Sequence, residues 1–296
     1  MNVTRMISVA AVAAAVLGLA LAGPPAAPQD SNKFPIEEKD SIQQILKFKD
    51  PAGRREVKLD NVFGAIDVQG TDGAEVELSA RKTIRAKSRE KVEQAKADVK
   101  LDIRNEGGTI DIYVDGPFRC QTRDCPGIKD RDFGYEVHYD FVLKVPRAVA
   151  LTLKTVTGGD IAVRGVEGDF QVSNVNGKVA LDGVGGVGKA RTVNGGVRVG
   201  FVRNPKAGCS FKTINGDVEL VFREGLAADF KMKTLNGEAF SDFEVKSLPI
   251  QATPPETKNG RLIYRRGDFS RVRIGGGGPE IACDTMNGDI LIKKSH

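Results

Sequence analysis

The sequence predicts an all-β fold, a β-solenoid of stacked coils of 18–21 residues, with one short helix in the N-terminal half. Three observations support this prediction. A short motif built around Asn-Gly recurs at regular steps, apolar residues alternate with polar ones beside each copy, and glycine makes up 34 of the 296 residues. Repeats with a period of about 20 residues or more are typical of solenoids and related folds, so the repeat decides the architecture.

The repeat has the form Thr or Asn, an apolar residue, Asn, Gly, a variable residue and an apolar residue. Its copies are 174–179, 192–197, 213–218, 234–239 and 285–290, and 156–161 is a degenerate sixth. The corner glycines Gly159, Gly177, Gly195, Gly216, Gly237 and Gly288 follow one another at steps of 18, 18, 21, 21 and 51 residues. Short strands with one buried face explain the flanking alternation, and glycine allows sharp corners between them.

Two architectures fit this repeat. In a solenoid, successive coils stack about 4.8 Å apart, so equivalent residues form columns. The corner columns are then an amide ladder of Asn176, Asn194, Asn215, Asn236 and Asn287, and a glycine column of Gly177, Gly195, Gly216, Gly237 and Gly288. In the alternative, each Asn-Gly is a two-residue hairpin turn and the chain is an antiparallel meander. The recurrence of one residue type at one offset favours stacking, and the meander stays open.

The chain divides into four segments. Residues 1–22 carry one charge and then an apolar run that ends in Ala-Leu-Ala, which is typical of a cleaved secretory signal peptide; an uncleaved membrane anchor is the alternative. Residues 23–50, which begin with a stretch rich in Pro and charged residues, are assigned to a linker. Residues 51–150 form a β-rich part with a helix at 88–99, and residues 151–296 form the repeat part, which is expected to continue it. No transmembrane segment is expected after cleavage of the signal peptide.

Composition and charge exclude several classes of protein. The chain has 44 Lys and Arg against 39 Asp and Glu, a net charge of +5 with both signs mixed along the sequence. This mixture of charges excludes a disordered polyelectrolyte, and the net charge is too small to indicate a polyanionic partner. No basic block alternates with aromatic residues, so nucleic acid is not an expected partner. With only His138 and His296 present, a His-based metal site or catalytic triad is not expected.

The four cysteines fall into two groups. Cys120 and Cys125 bracket four residues in a loop-like stretch rich in Gly and Asp, and in an exported protein they are a candidate disulfide. Cys209 and Cys283 occupy offsets at which other copies carry Phe, Met or Ile, so both are expected to be small buried hydrophobic residues. A disulfide between Cys209 and Cys283 is the less favoured alternative.

Three motifs that suggest chemistry have structural explanations. Residues 183–188 match Gly-x-Gly-x-x-Gly, but another Asn-Gly corner follows too soon for the helix that a nucleotide site needs. Acidic residues recur directly after the corner glycines, but Lys178 interrupts them, so a solvated charged edge is favoured over a Ca²⁺ site. No recurrent cluster of carboxylates and aromatic residues builds a sugar cleft. No catalytic residue, metal site or cofactor is therefore predicted.

Three features carry a family resemblance. They are the Thr-apolar-Asn-Gly-acidic-apolar repeat, Val145-Pro146-Arg147 followed by Leu151-Thr152-Leu153, and Gly275-Gly276-Gly277-Gly278 ahead of the last repeat, 284–290. In these features the chain resembles the bacterial putative adhesin family, domains related to the heads of autotransporter adhesins, from about residue 55 to the C-terminus. The resemblance implies a right-handed parallel β-helix, export, and an adhesive or envelope role. It supplies no catalytic residues.

Together these features predict an exported, non-enzymatic β-solenoid that acts as an adhesin-like binding or scaffold protein of the bacterial cell envelope. Its location is then the periplasm, the cell surface or the extracellular space, and its partner is an envelope protein or a glycan. Two alternatives stay open. One is an envelope-stress or signalling accessory that binds another exported protein, and the other is a carbohydrate-active enzyme built on a β-helix.

Overall fold

The computed structural model describes residues 33–50, 52–119, 132–249, 256–258, 261–263 and 269–295. Over these ranges the fold is all-β, with two large mixed sheets, a two-stranded sheet and one helix. The signal peptide predicted for residues 1–22 and the candidate disulfide between Cys120 and Cys125 lie outside the described residues. Within the described ranges, no helix has the length and apolar character needed to cross a membrane.

The strands and the helix follow one another along the chain as β1 (Ile36–Leu46), β2 (Glu56–Asp60), β3 (Ile66–Thr71), β4 (Val76–Ala86), α1 (Arg89–Asp98), β5 (Lys100–Glu106), β6 (Thr109–Asp115), β7 (Tyr135–Pro146), β8 (Ala150–Lys154), β9 (Ile161–Arg164), β10 (Phe170–Ser173), β11 (Val179–Val184), β12 (Gly188–Arg191), β13 (Val197–Phe201), β14 (Cys209–Lys212), β15 (Val218–Phe222), β16 (Ala228–Lys233), β17 (Ala239–Ser241), β18 (Val245–Ser247), β19 (Glu256–Lys258), β20 (Arg261–Ile263), β21 (Ser270–Ile274), β22 (Glu280–Asp284) and β23 (Ile290–Lys294).

The middle of each large sheet is parallel. The first sheet has the order β1-β4-β7-β3-β9-β11-β13-β15-β23-β17, and its pairs are parallel from β7 to β17. The second has the order β18-β21-β16-β22-β14-β12-β10-β8-β2-β6-β5, and its pairs are parallel from β16 to β6. The strands β19 and β20 pair only with each other in the described residues.

Each Asn-Gly corner joins a strand of the second sheet to a strand of the first. Thus β12 leads through its corner to β13, and β14 leads to β15. In a hairpin meander, the two strands beside each Asn-Gly would pair with each other. Instead, equivalent strands of different repeats pair in parallel, as Val179, Val197 and Val218 do in neighbouring strands. The meander alternative is therefore wrong for these repeats.

Antiparallel strands at the ends of both sheets depart from the predicted parallel β-helix. β4 pairs antiparallel with β1 and β7, β5 pairs in the same way with β6, and β21 does so with β16 and β18. The β5–β6 reversal is a tight hairpin in which Gly107 has φ +58°, a conformation that glycine adopts without steric cost. The sheets are consequently mixed, and the described chain is not one continuous parallel coil.

Part of the predicted linker is a strand. Ile36–Leu46 pairs with β4 along its whole length, from Ile36 opposite Ala86 to Leu46 opposite Val76. Ile36, Ile42 and Leu46 pack against the core, on the face of the strand that also carries the polar residues Glu38, Asp40 and Gln44. The linker assignment of residues 23–50 is therefore wrong over 36–46, because the charged residues of this segment mask its period of two.

The core lies between the inward faces of the two sheets. Phe201 stacks on Phe222 with ring centroids 5.0 Å apart, and the Phe230 ring meets Phe222 edge-on at 5.8 Å. Cys209 and Cys283 are buried free thiols in this core, in agreement with their expected role as small hydrophobic residues. The helix begins after Ser88, whose hydroxyl accepts a hydrogen bond from the Lys91 amide at 3.3 Å, and it lies within the predicted range 88–99.

The last repeat in the sequence is not the last in the sheets. β22 lies between β14 and β16, and β23 lies between β15 and β17. The 51-residue step in the sequence corresponds to this rearrangement, because β18 to β21 come between β17 and the two strands, β22 and β23, that fill the positions before β16 and β17. The coil of β16 and β17 thereby comes after the coil of β22 and β23 in the order of strands.

Candidate functional site

The Asn side chains of the repeat form one chain of hydrogen bonds at the corners. Along the order Asn236, Asn287, Asn215, Asn194 and Asn176, the Nδ2 of each of the first four members donates to the Oδ1 of the next member at 2.7 Å. Asn287 thus comes between Asn215 and Asn236, out of chain order. The five side chains are exposed at the surface. An amide has two donor hydrogens and two acceptor positions, so each interior member keeps one of each free for a ligand.

The corner glycines allow this close stacking. A Cβ on Gly216 would lie 2.3 Å from the carbonyl oxygen of Gly195, and Gly216 itself has φ +148°. A Cβ on Gly288 would lie 2.2 Å from the carbonyl oxygen of Gly216. Both distances are far below an ordinary carbon–oxygen contact of about 3.3 Å. Glycine is therefore required by the approach of the neighbouring coil as well as by the backbone angle.

A column of Thr hydroxyls lies beneath the amide ladder. Thr213 Oγ1 donates to the carbonyl oxygen of Gly195 at 2.7 Å, and Thr285 Oγ1 donates to that of Gly216 at 2.9 Å. Both Thr side chains are almost fully buried. A buried carbonyl without a donor destabilises a fold by about 1–3 kcal/mol. The Thr of the repeat therefore satisfies the glycine carbonyl of the adjacent coil.

The acidic residues after the corner glycines also have a structural role. Asp160 Oδ1 accepts the backbone amide of Lys178 at 2.7 Å, and Asp217 Oδ1 accepts that of Asp289 at 2.8 Å. Asp289 Oδ1 accepts the amide of Glu238 in turn at 2.9 Å. Among the described residues, no group of His, Cys, Asp or Glu is arranged to hold a metal ion. These carboxylates bind backbone amides of neighbouring coils.

An apolar column runs beside the amide ladder. Its members directly precede the ladder residues and are Val175, Val193, Ile214, Met286 and Leu235. The backbone amides of Val193 and Ile214 each donate to the carbonyl of the preceding member at 3.3 Å, which keeps the column in register. Leu235 and Met286 are 67% and 46% exposed. We call the five Asn and these five apolar residues the corner surface.

The ladder ends at an aromatic cluster. Asn176 Nδ2 donates to Thr157 Oγ1 at 3.2 Å, and Thr157 is bridged to Phe63. The Phe63 ring lies 5.3 Å from that of Phe118 and 5.8 Å from that of His138. Burial lowers the pKa of His138 despite the nearby carboxylate of Glu136, so His138 is expected to be neutral at pH 7.

Sequence reasoning emphasised the Asn and Gly of the corner and missed the apolar column. The signal was present, because the residue before each ladder Asn is Val, Ile, Met or Leu in every copy. The interpretation of residues 183–188 as part of the repeat is confirmed, since β12 begins at Gly188 where a nucleotide site would need a helix.

No protein-family model and no curated protein sequence matches the chain, and several solved structures match it at low identity and low TM-score. One is a putative cell adhesion protein from Clostridium sporogenes, with 11% identity and a TM-score of 0.40 over 86% of this chain and 100% of that one. A putative adhesin from Bacteroides fragilis has 12% identity and a TM-score of 0.37 over 86% and 97%. A putative lipid binding protein from Parabacteroides distasonis has 11% identity and a TM-score of 0.25 over 87% and 97%. These values assign no family, and the resemblance drawn from the sequence stays a prediction.

Proposed function

We propose that the protein is an exported, non-enzymatic binding or scaffold protein of the bacterial cell envelope, and that its parallel coils act as a β-solenoid that presents the corner surface. The observation that carries this proposal is the unbroken run of exposed amides beside an apolar column in which Leu235 and Met286 are exposed. The apolar N-terminal run supports export.

The corner surface has the properties of a preorganised binding site. Its amides are held by 2.7 Å hydrogen bonds to one another, so a ligand need not order them on binding, which lowers the entropic cost of association. The exposed side chains of Leu235 and Met286 add apolar area, and burying this area under a partner favours binding. A repeating surface of this kind suits a partner that is itself extended, such as a glycan strand or an edge of another envelope protein.

The test is binding to a glycan array and to purified peptidoglycan sacculi. We expect the wild-type protein to bind, and the Leu235→Ser, Met286→Ser double variant to lose that binding. The matched control is the Val142→Ser, Val202→Ser double variant, which removes two exposed apolar side chains outside the corner surface. Absence of binding by the wild-type protein, or equal binding by both double variants, would refute the proposal.

A further inference from the structure

The outer face of the second sheet carries a concentration of positive charge. Between β8 and β21, two neighbouring rows of side chains point away from the core. One row is Thr152, Gln171, Lys189, Ser210, Ala282, Lys231 and Arg271, and the other is Lys154, Ser173, Arg191, Lys212, Asp284 and Lys233. Seven of these thirteen residues are basic and one is acidic. We call these thirteen residues the basic face.

The outer face of the first sheet is different. Its two corresponding rows are Ala162, Ala180, Arg198, Glu219 and Leu291, and Arg164, Asp182, Gly200, Val221 and Lys293. These rows contain three basic and two acidic residues. Arg198 and Lys293 both pair with Glu219, at 3.4 and 3.3 Å. These rows of the second sheet are therefore more positive than the corresponding rows of the first. At the margins of the basic face, Lys154 pairs with Asp60 and Arg271 with Glu280, both at 3.4 Å.

The centre of the basic face is accessible and weakly neutralised. Lys189 and Arg191 are exposed, and no carboxylate of the described residues lies within ion-pair distance of either. Arg191 Nε donates to Ser173 Oγ at 3.0 Å, which orients the guanidinium. Lys212 pairs with Asp284 at 2.7 Å. Three cations thus lie on the adjacent strands β12 and β14, about 4.8 Å apart, with one carboxylate beside them.

The surroundings of these cations select among polyanions. The large exposed apolar residues of the described chain lie outside the basic face, so it has no side chains to insert into a bilayer. Among the described residues, the ring that lies beside the basic face is Phe269, and Lys231 at 4.3 Å and Lys233 at 5.5 Å cover it, which leaves little for nucleic acid bases to stack on. The hydroxyls and the amide interspersed in both rows can bond to the hydroxyls of a sugar.

We propose that the basic face binds a linear anionic polysaccharide, with carboxylates of the sugar chain paired to Lys189, Arg191 and Lys212. The seven strands of the face span about 29 Å at the usual strand spacing, enough for several sugar residues of an extended chain. This inference does not depend on the function proposed for the corner surface, because it rests on different side chains and on charge.

The test is affinity electrophoresis of the full chain in gels that contain polygalacturonate, with dextran as the neutral control. We expect polygalacturonate to retard the wild-type protein, and higher salt to weaken this retardation because counterions compete. The Lys189→Gln, Arg191→Gln, Lys212→Gln variant is expected to bind about tenfold more weakly. The matched variant Arg164→Gln, Arg198→Gln, Lys293→Gln loses the same charge from the opposite sheet and is expected to bind like the wild type.

Several outcomes would overturn the proposal. They are no retardation of the wild-type protein, equal retardation by dextran, or equal loss of binding in both triple variants, which would indicate only a response to net charge. Loss of polygalacturonate binding in the Leu235→Ser, Met286→Ser variant would place the polysaccharide on the corner surface instead. Binding to phosphatidylglycerol vesicles or to single-stranded DNA without binding to polygalacturonate would also contradict it. Circular dichroism spectra identical to the wild type establish that each variant is folded.

Discussion

Replacing Gly216 by alanine tests whether adjacent coils are stacked as closely as the structure indicates. The new Cβ would lie 2.3 Å from the carbonyl oxygen of Gly195 and 2.5 Å from its carbonyl carbon. An ordinary carbon–oxygen contact is about 3.3 Å, so the coils would have to separate by about 1 Å. The hydrogen bonds that hold them, such as Gly195 N to Asn215 O and Val197 N to Asp217 O, both 2.8 Å, would stretch.

The size of the effect follows from two separate contributions. Alanine at the φ of +148° found at Gly216 is strained by about 1–2 kcal/mol. Overpacking of a rigid backbone contact adds about 2–3 kcal/mol. We therefore expect Gly216→Ala to lower the free energy of unfolding by about 3–5 kcal/mol, which is large for a single substitution.

Two control variants separate these contributions. Gly225 has φ +74° and Gly276 has no such angle, and neither would bring a Cβ within 4 Å of another group. Gly225→Ala should therefore cost about 1 kcal/mol, from backbone strain alone, and Gly276→Ala should change stability by no more than about 0.5 kcal/mol. Urea unfolding followed by far-ultraviolet circular dichroism gives all three values. If Gly216→Ala costs no more than Gly225→Ala, the close contact between coils is refuted.

Three further predictions concern buried groups. Thr213→Val should lower the free energy of unfolding by about 1–2 kcal/mol because the Gly195 carbonyl loses its donor, whereas Thr234→Val, at a less buried coil, should cost less; urea unfolding of both checks this. Burial raises the pKa of Cys283, so wild type and Cys283→Ala should release equal amounts of thionitrobenzoate from Ellman's reagent when native and differ only after unfolding. Burial raises the pKa of Tyr139 to about 12, so its phenolate absorbance, taken as the difference from Tyr139→Phe, should appear near that pH. An unfolded tyrosine ionises from about pH 10, so the stability contributed by Tyr139 should be complete below pH 10 and decline above it.

The parallel pairing within the repeats could be predicted from the sequence. Equal steps between corner glycines give coils of equal length, and the alternation of inward apolar residues fixes the register, since a shift by one residue would turn every side chain over. The pairing of Val197 with Val218 therefore follows from residues alone. The pairing of β1 with β4 does not follow from residues alone, because Glu38 and Asp40 lie on the same face as Ile36 and Ile42 and interrupt the apolar period of two.

The basic face was hidden for a different reason. Its cations come from strands as far apart in sequence as β8 and β21. Net charge describes the whole chain, and charge runs describe only residues that are neighbours in sequence. A stack of parallel strands instead gathers one residue from each coil into a row. A row of this kind can be found from the sequence once the register is known.

The order of the last coils also has a physical cause that the sequence contains. The inward positions of β23 are Ile290 and Ile292, which are almost fully buried, whereas the equivalent positions of β17 are Ala239 and Ser241, which are exposed. Two large side chains bury more apolar area between neighbouring coils than alanine and serine do, and burial stabilises the fold by about 25 cal/mol per Å² of apolar area. The least apolar burial is lost when the coil with the smaller inward residues occupies the edge of the first sheet. β23 therefore takes the interior position although it comes later in the chain. Ser241 occupies the position at which other coils carry Val199, Leu220 and Ile292, and this polar residue was the signal for the edge.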